Sequence, residues 1–261
     1  MAQLNLQIDE MDPEVKEVHG RYSDLKAFNV LRRYLDAAQG ELSIVQATKL
    51  IHDMLPDIAD RDAEFQHSMF SHVVLDVAQQ IPYSHSAQSY LVQLLQRLQA
   101  SSKLTRRVIN EEESILAEFE PSTSEEEHSI NNNAFLARLS SAGLFHDPSY
   151  AIWTLRSNLE ESHSDESYSG RISGAAVWIL CAGQWLFTEI VECPRLMTPE
   201  DETCWDVGSL YTGPILGLVR WKFWHKALAT AIESSRASDE SRRLAQKAID
   251  FMDAIELANK W

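Results

Sequence analysis

Cysteine is scarce and unpatterned in this chain: Cys181, Cys193 and Cys204 are all there are, and no two stand in a C-x-x-C pair. An odd number at such spacing excludes a disulfide framework and a cysteine zinc site, so reduced, structural thiols are expected. Basic residues are also in deficit. Lys and Arg number 23 against 39 Asp and Glu, giving a net charge of −16 and an isoelectric point near 4.9. Phosphate backbones and anionic bilayers repel such a surface, which argues against nucleic acid or a membrane as partner, and the acidity serves solubility first. Glycine motifs are missing: there is no G-x-G-x-x-G, Walker loop or G-x-S-x-G elbow to hold a dinucleotide, a phosphate or a nucleophile. His67 and His72 stand five apart, not the three or four that would aim two imidazoles at one ion from a helix. Neither a metal nor an organic cofactor is therefore expected. The longest apolar run, AAVWILCAGQWLF, has 13 residues against the roughly 20 that span hydrocarbon, and reads as a buried core helix. The opening MAQLNLQIDEMDPE is polar and acidic where a secretory signal would be basic and then apolar, so a cytoplasmic protein is expected.

What is present is helical periodicity. The chain has 44% apolar and 24% charged residues, and almost every segment repeats its apolar positions at helical spacing, with no alternating run bounded by hairpin turns. The expected fold is all-α, a single domain of about eight or nine helices over 1–261, with an N-terminal bundle near 13–105 and a second part near 130–261. Asp12 and Pro13 open a helical region, broken at Gly20, that runs through Leu25, Phe28, Leu31 and Leu35 to Gly40. Ser43 and Gln46 form a capping box for a helix ending at Pro56, a third helix covers 60–81, and a fourth covers 86–101 with Leu91, Leu94, Leu95 and Leu98 inward. The acidic stretch 111–127 reads as a mobile surface loop. Helices over 132–144 and from Pro148 to Glu161 follow, then a loop, ESHSDESYSG, and the core helix 171–193. Residues 194–212 read as irregular, and a last helix starts at Ser238 and buries Leu244, Ala248, Phe251 and Ile255.

The stretch GPILGLVRWKFWH, 213–225, sets a charge inside an apolar stripe. At about 100° per residue, Trp221, Trp224 and Leu228 fall on one side of Arg220 and Phe223 and Ala227 on the other. Such a guanidinium either meets a carboxylate or carbonyls in the core, or lines a cavity. Six of the seven tryptophans lie between 153 and 224, as a large aromatic core or as a stacking wall for an unsaturated ligand. Trp178 and Trp185 share a stripe of the core helix, and Gln184 is its polar mid-helix residue. Trp153, Arg156 and Glu160 share another helix face, where Arg156 and Glu160 fit an ordinary surface i to i+4 pair.

The motifs NAFLARL at 133–139, AIWTLRSNLE at 151–160, AAVWILCAGQWLF at 175–187 and GLVRWKFWHKAL at 217–228 follow the order of a fungal helical family of undefined function, which this chain resembles over most of 130–230. In place of the Trp- and Gly-rich loop frequent in that family stands MTPEDETCWDVGSLYTG, so no role carries over to Trp205 or Tyr211. Some members are similar to cofactor-free enzymes of natural-product biosynthesis that dehydrate a substrate to a quinone methide and promote a hetero-Diels–Alder reaction. The resemblance suggests a hydrophobic unsaturated substrate, and a pericyclic step on it needs aromatic walls and fixed donors, for which the expected residues are Trp153, Trp178, Trp185, Trp221 and Trp224 with Gln184 orienting the ligand, and Arg220 and Arg156 as catalytic donors. The opposing expectation is a non-catalytic interaction module with an acidic surface. A homodimer is left open by both.

Overall fold

A computed structural model describes residues 4–8, 22–36, 41–60, 63–108, 111–114, 126–194 and 196–259. The expected helix start at Asp12 and Pro13 and the breaks at Gly20 and Gly40 lie outside them. Apart from one short ribbon the regular structure of the described residues is helical, so the fold is all-α, with ten α-helices among those residues. The chain divides into two compact units, 1–124 and 125–261, and the boundary falls in the acidic stretch expected to be a surface loop of one domain.

The first unit holds α1 (Asp24–Leu35), α2 (Ile44–Met54), α3 (Ala63–Gln79) and α4 (Ala87–Gln99). The box before α2 forms as its sequence requires, with Ser43 accepting from the Gln46 N–H and the Gln46 side chain accepting from the Ser43 N–H. Leu91, Leu94, Leu95 and Leu98 are fully buried, and so is Leu31, whereas Leu25 is half exposed at the start of α1. After α4 the chain makes an antiparallel ribbon, β1 (Thr105–Val108) and β2 (Glu111–Ser114), that sets Arg106 opposite Glu113 and Arg107 opposite Glu112. Four-residue strands are too short to show the alternation that announces a strand, and β2 falls in the stretch expected as loop.

The second unit is built around α7 (Asp165–Phe187), against which α5 (Glu126–Ser141), α6 (Ser149–Leu159), α9 (Leu218–Glu233) and α10 (Asp239–Ala258) pack. The apolar run expected as core is core: Ala175, Ala176, Val177, Trp178 and Ile179 are buried. With its continuation it reaches Glu166–Glu192, long and apolar enough by length and composition alone to cross a membrane, yet most of that window is buried among the other helices. α5 and α7 each begin six residues earlier than apolar spacing predicts, at Glu126 and Asp165. In α7 those turns are polar in composition but tied down. Arg171 donates to the Ser157 carbonyl, and the Arg236 guanidinium lies 4.2 Å over the Tyr168 ring and donates to the His163 carbonyl. The segment ESHSDESYSG is thus mostly helix, not a loop.

α7 ends in a π-helical turn, Thr188–Glu192, where the Cys193 N–H reaches back five residues to the Thr188 carbonyl. Within the stretch expected to be irregular, Thr198 and Asp201 form a second capping box and start the short α8 (Pro199–Cys204). Ser238 caps α10 by accepting from the Ser241 N–H, and Leu244, Ala248 and Ile255 are buried while Phe251 is half-buried.

One charge in the first unit works against folding. Asp24 is 6% exposed, its Oδ1 and the nearby Tyr22 hydroxyl lack well-formed hydrogen bonds, and burial holds its carboxyl above the ordinary 3.8. A raised native pKa means that the folded state holds the proton more tightly than the unfolded one. Asp24 therefore costs stability as pH rises through 3.8 to its native value, and costs most at neutral pH. Asp24→Asn is expected to raise the melting temperature at neutral pH, with a gain that shrinks as the carboxyl of the parent protonates. Paired thermal melts across that range check it, and a gain that grows in acid would contradict it.

Candidate functional site

Arg220 lies in the first turn of α9, after Gly217, whose φ of +111° is a left-handed conformation that suits only glycine. Its guanidinium is 0% exposed. A guanidinium has five N–H groups, and every one has an acceptor. Nε donates to Glu160 Oε1 at 2.7 Å and Nη2 to Glu160 Oε2 at 3.1 Å. Nη1 donates to the carbonyls of Trp205 and Ile215, each at 2.8 Å, and Nη2 also to that of Asp206 at 3.2 Å. The rings of Trp224 and Tyr211 lie 5.5 and 5.9 Å from its Cζ. Of the two destinations open to this charge, the structure shows the core one.

Glu160 is as buried as its partner and follows directly on α6. Its Oε1 also accepts from the Trp224 indole at 2.7 Å, and its Oε2 from the Gly208 N–H at 2.8 Å. Its carbonyl accepts from the Leu210 N–H at 2.8 Å. A Cβ on Gly208 would stand 2.6 Å from the Glu160 Cβ and carbonyl oxygen, so the segment approaches only because that residue is glycine. Next door, the exposed Glu161 takes the Ser209 hydroxyl at 2.6 Å, and the Ser209 hydroxyl and N–H hold its carboxyl below the ordinary range.

Other predicted residues brace the same segment. The Trp153 indole donates to the Cys204 carbonyl at 2.6 Å, and Arg156 donates to those of Asp206 and Cys204 at 3.2 and 3.5 Å. The expected surface pair of Arg156 with Glu160 is corrected: Glu160 gives its carboxylate to Arg220. Trp178 donates instead to Asn133 Oδ1 at 2.8 Å, joining α7 to α5, while Gln184 is exposed and Trp185 half-buried. Trp205 and Tyr211, given no role from the sequence, stand beside the guanidinium, and burial pushes the Tyr211 phenol up. Glu160 was missed as its partner, and Gly208 as a donor to Glu160. The signals were there, a carboxylate at a helix end and a turn glycine, but nothing local ties either to a residue far along the chain.

A second feature offers space. At the π turn a groove of about 550 Å³ has Phe187, Val191 and Leu218 as apolar walls. Glu192, Cys193, Lys222, Glu256 and Asn259 complete its lining. Lys222 Nζ is 3.9 Å from Glu256 Oε2. None of the catalytic or ligand-binding residues expected from the sequence lines it. The groove is open to solvent along one side and mixes apolar with ionisable walls, and π turns recur at functional sites. Cys193 is exposed, whereas Cys181 is half-buried and desolvation pushes its thiol up, away from the reactive thiolate. Among the described residues no three His, Cys, Asp or Glu side chains gather as a metal site.

A family model described as Protein of unknown function (DUF3632) matches residues 72–228, from α3 in the first unit to α9 in the second, and the chain belongs to that family. The match starts well before the motifs that carried the resemblance. No curated protein and no solved structure matches the chain.

If the Arg220 cluster holds the unit together, Arg220→Met leaves Glu160 desolvated without a cation and is expected to cost about 3–5 kcal/mol in chemical denaturation. Arg220→Lys should recover little, since an ammonium offers three donors to five acceptors. Adding Glu160→Leu to Arg220→Met should restore part of the loss. A single Met variant within about 1 kcal/mol of the parent would show that the pair is not structural.

Proposed function

We propose that this member of the family binds a hydrophobic, unsaturated small molecule in the groove at the π turn and catalyses its dehydration and hetero-Diels–Alder-type cycloaddition without a cofactor. The observation that carries the reading is the groove itself: about 550 Å³, apolar walls, and a Lys–Glu pair 3.9 Å apart. In this reading the chemistry leaves Arg220, whose donors are all engaged, and moves to Lys222 and Glu256. Glu256 takes the phenolic proton of an ortho-hydroxybenzyl alcohol, the benzylic C–O bond breaks, and the departing hydroxide takes a proton from Lys222 and leaves as water. The proton then passes from Glu256 to Lys222. The quinone methide is a heterodiene, and an alkene held against Phe187, Val191 and Leu218 adds across it with two new σ bonds and no redox change. Holding both partners in contact replaces a bimolecular encounter, which is where a pericyclic step gains most. A fungal, cytoplasmic protein of secondary metabolism fits this role.

A second reading is a non-catalytic interaction module with an acidic surface. It is favoured by the exposed Leu218 and Val219 at the start of α9, on a chain of net charge −16.

Incubation with ortho-hydroxybenzyl alcohol and styrene separates them. The first reading expects a chroman product to form faster than in buffer, with the rate falling roughly tenfold or more in Glu256→Gln. No acceleration, or acceleration untouched by Glu256→Gln and Lys222→Met, would leave the interaction module.

A further inference from the structure

Four tryptophans of the second unit are fully buried: Trp178, Trp205, Trp221 and Trp224. Three donate their indole N–H, to Asn133, Ser149 and Glu160, at 2.7 to 2.8 Å. Trp221 is 0% exposed and its Nε1 has no acceptor. A buried donor without a partner is rare in a folded protein, and where one persists a functional role is one of the few explanations.

Its surroundings say which ligand. On α9, Trp221 sits between Leu218 and Lys222, both of which line the groove. Its ring meets that of Phe187 edge to face, with centroids 5.1 Å apart and planes at 75°. Phe187 lines the groove and is itself 4% exposed, so the same ring that meets the indole also borders the open volume. It is also the residue at which α7 gives way to the π turn. Moving that side chain from one staggered well to the next, a rotation of about 120°, would open the groove toward the indole edge.

We infer, on the reading that the groove is the ligand site, that the Trp221 indole N–H is the hydrogen-bond donor for a carbonyl oxygen of an apolar ligand, and that Phe187 is the gate in front of it. The ligand class narrows to aromatic or polyunsaturated ketones, aldehydes and quinone methides, whose oxygen accepts and whose remaining surface is apolar. A hydrocarbon of the same shape leaves the donor orphaned and binds more weakly.

β-Acetylnaphthalene and β-isopropenylnaphthalene differ only in C=O against C=CH₂, and calorimetric titration of the full chain with each tests the inference. The expected result is roughly five- to tenfold tighter binding of the ketone, a preference that Trp221→Phe abolishes while hydrocarbon affinity stays within about twofold. Should that variant not fold, the indole N–H resonance of Trp221 in the unaltered chain decides: the ketone shifts it downfield and the hydrocarbon does not. Equal binding of both compounds with an unmoved resonance overturns the donor role and leaves the groove reading standing. Binding of neither overturns both.

Discussion

The second unit depends on one buried carboxylate finding one buried guanidinium. Each alone would cost several kcal/mol to take out of water, and neither has a solvent-facing escape. What makes the burial tolerable is completeness. Five donors on Arg220 meet five acceptors, and the Glu160 oxygens collect two further bonds from Trp224 and Gly208. The acceptors are drawn from the end of α6, the segment after α8 and the approach to α9, so satisfying one side chain fixes three stretches of backbone. The long irregular stretch before α9 needs this. It has few apolar anchors besides Trp205 and Tyr211, and the ion pair supplies the order that packing does not.

The same completeness separates the conspicuous charge from the conspicuous space. An arginine in an apolar stripe attracts a catalytic reading, yet a catalytic donor must have a hydrogen left for substrate. The groove at the π turn has no such saturation. It is built where α7 loses its regular ladder, so Val191, Glu192 and Cys193 are turned from the positions a continuing α-helix would give them. Helix regularity serves the core there, and its interruption serves the surface.

The sequence carried the helices well and the site poorly, for one physical reason. Capping boxes at Ser43, helix caps at Ser238 and the leucine stripe of α4 are local, each written within a few residues, and all three are found where expected. The early starts of α5 and α7 were hidden because polar helical turns look like loop in composition, and in α7 only contacts from Arg171 and Arg236 mark the difference. Arg220 stood out as a residue in need of a partner, but Glu160 read as a surface pair with Arg156, which is nearer in the chain. Choosing between the two required knowing how α6 and α9 approach. The groove was invisible for a further reason: its walls are ordinary Phe, Val and Leu positions, and what makes them a site is the π turn, which no apolar period announces.

Glu160 and Arg220 are 60 residues apart, and this has a consequence for the order of events during synthesis. A chain emerging N-terminus first presents α6 and its carboxylate long before α9 exists. Until then Glu160 is best left in water, and the end of α6 has no reason to settle. Closure of so long a loop carries an entropic cost that is recovered only when all the bonds form together. The second unit is thus built to close in one late step, since a chain cut short of residue 220 lacks this contact and, with it, the helices α9 and α10 that cover α7.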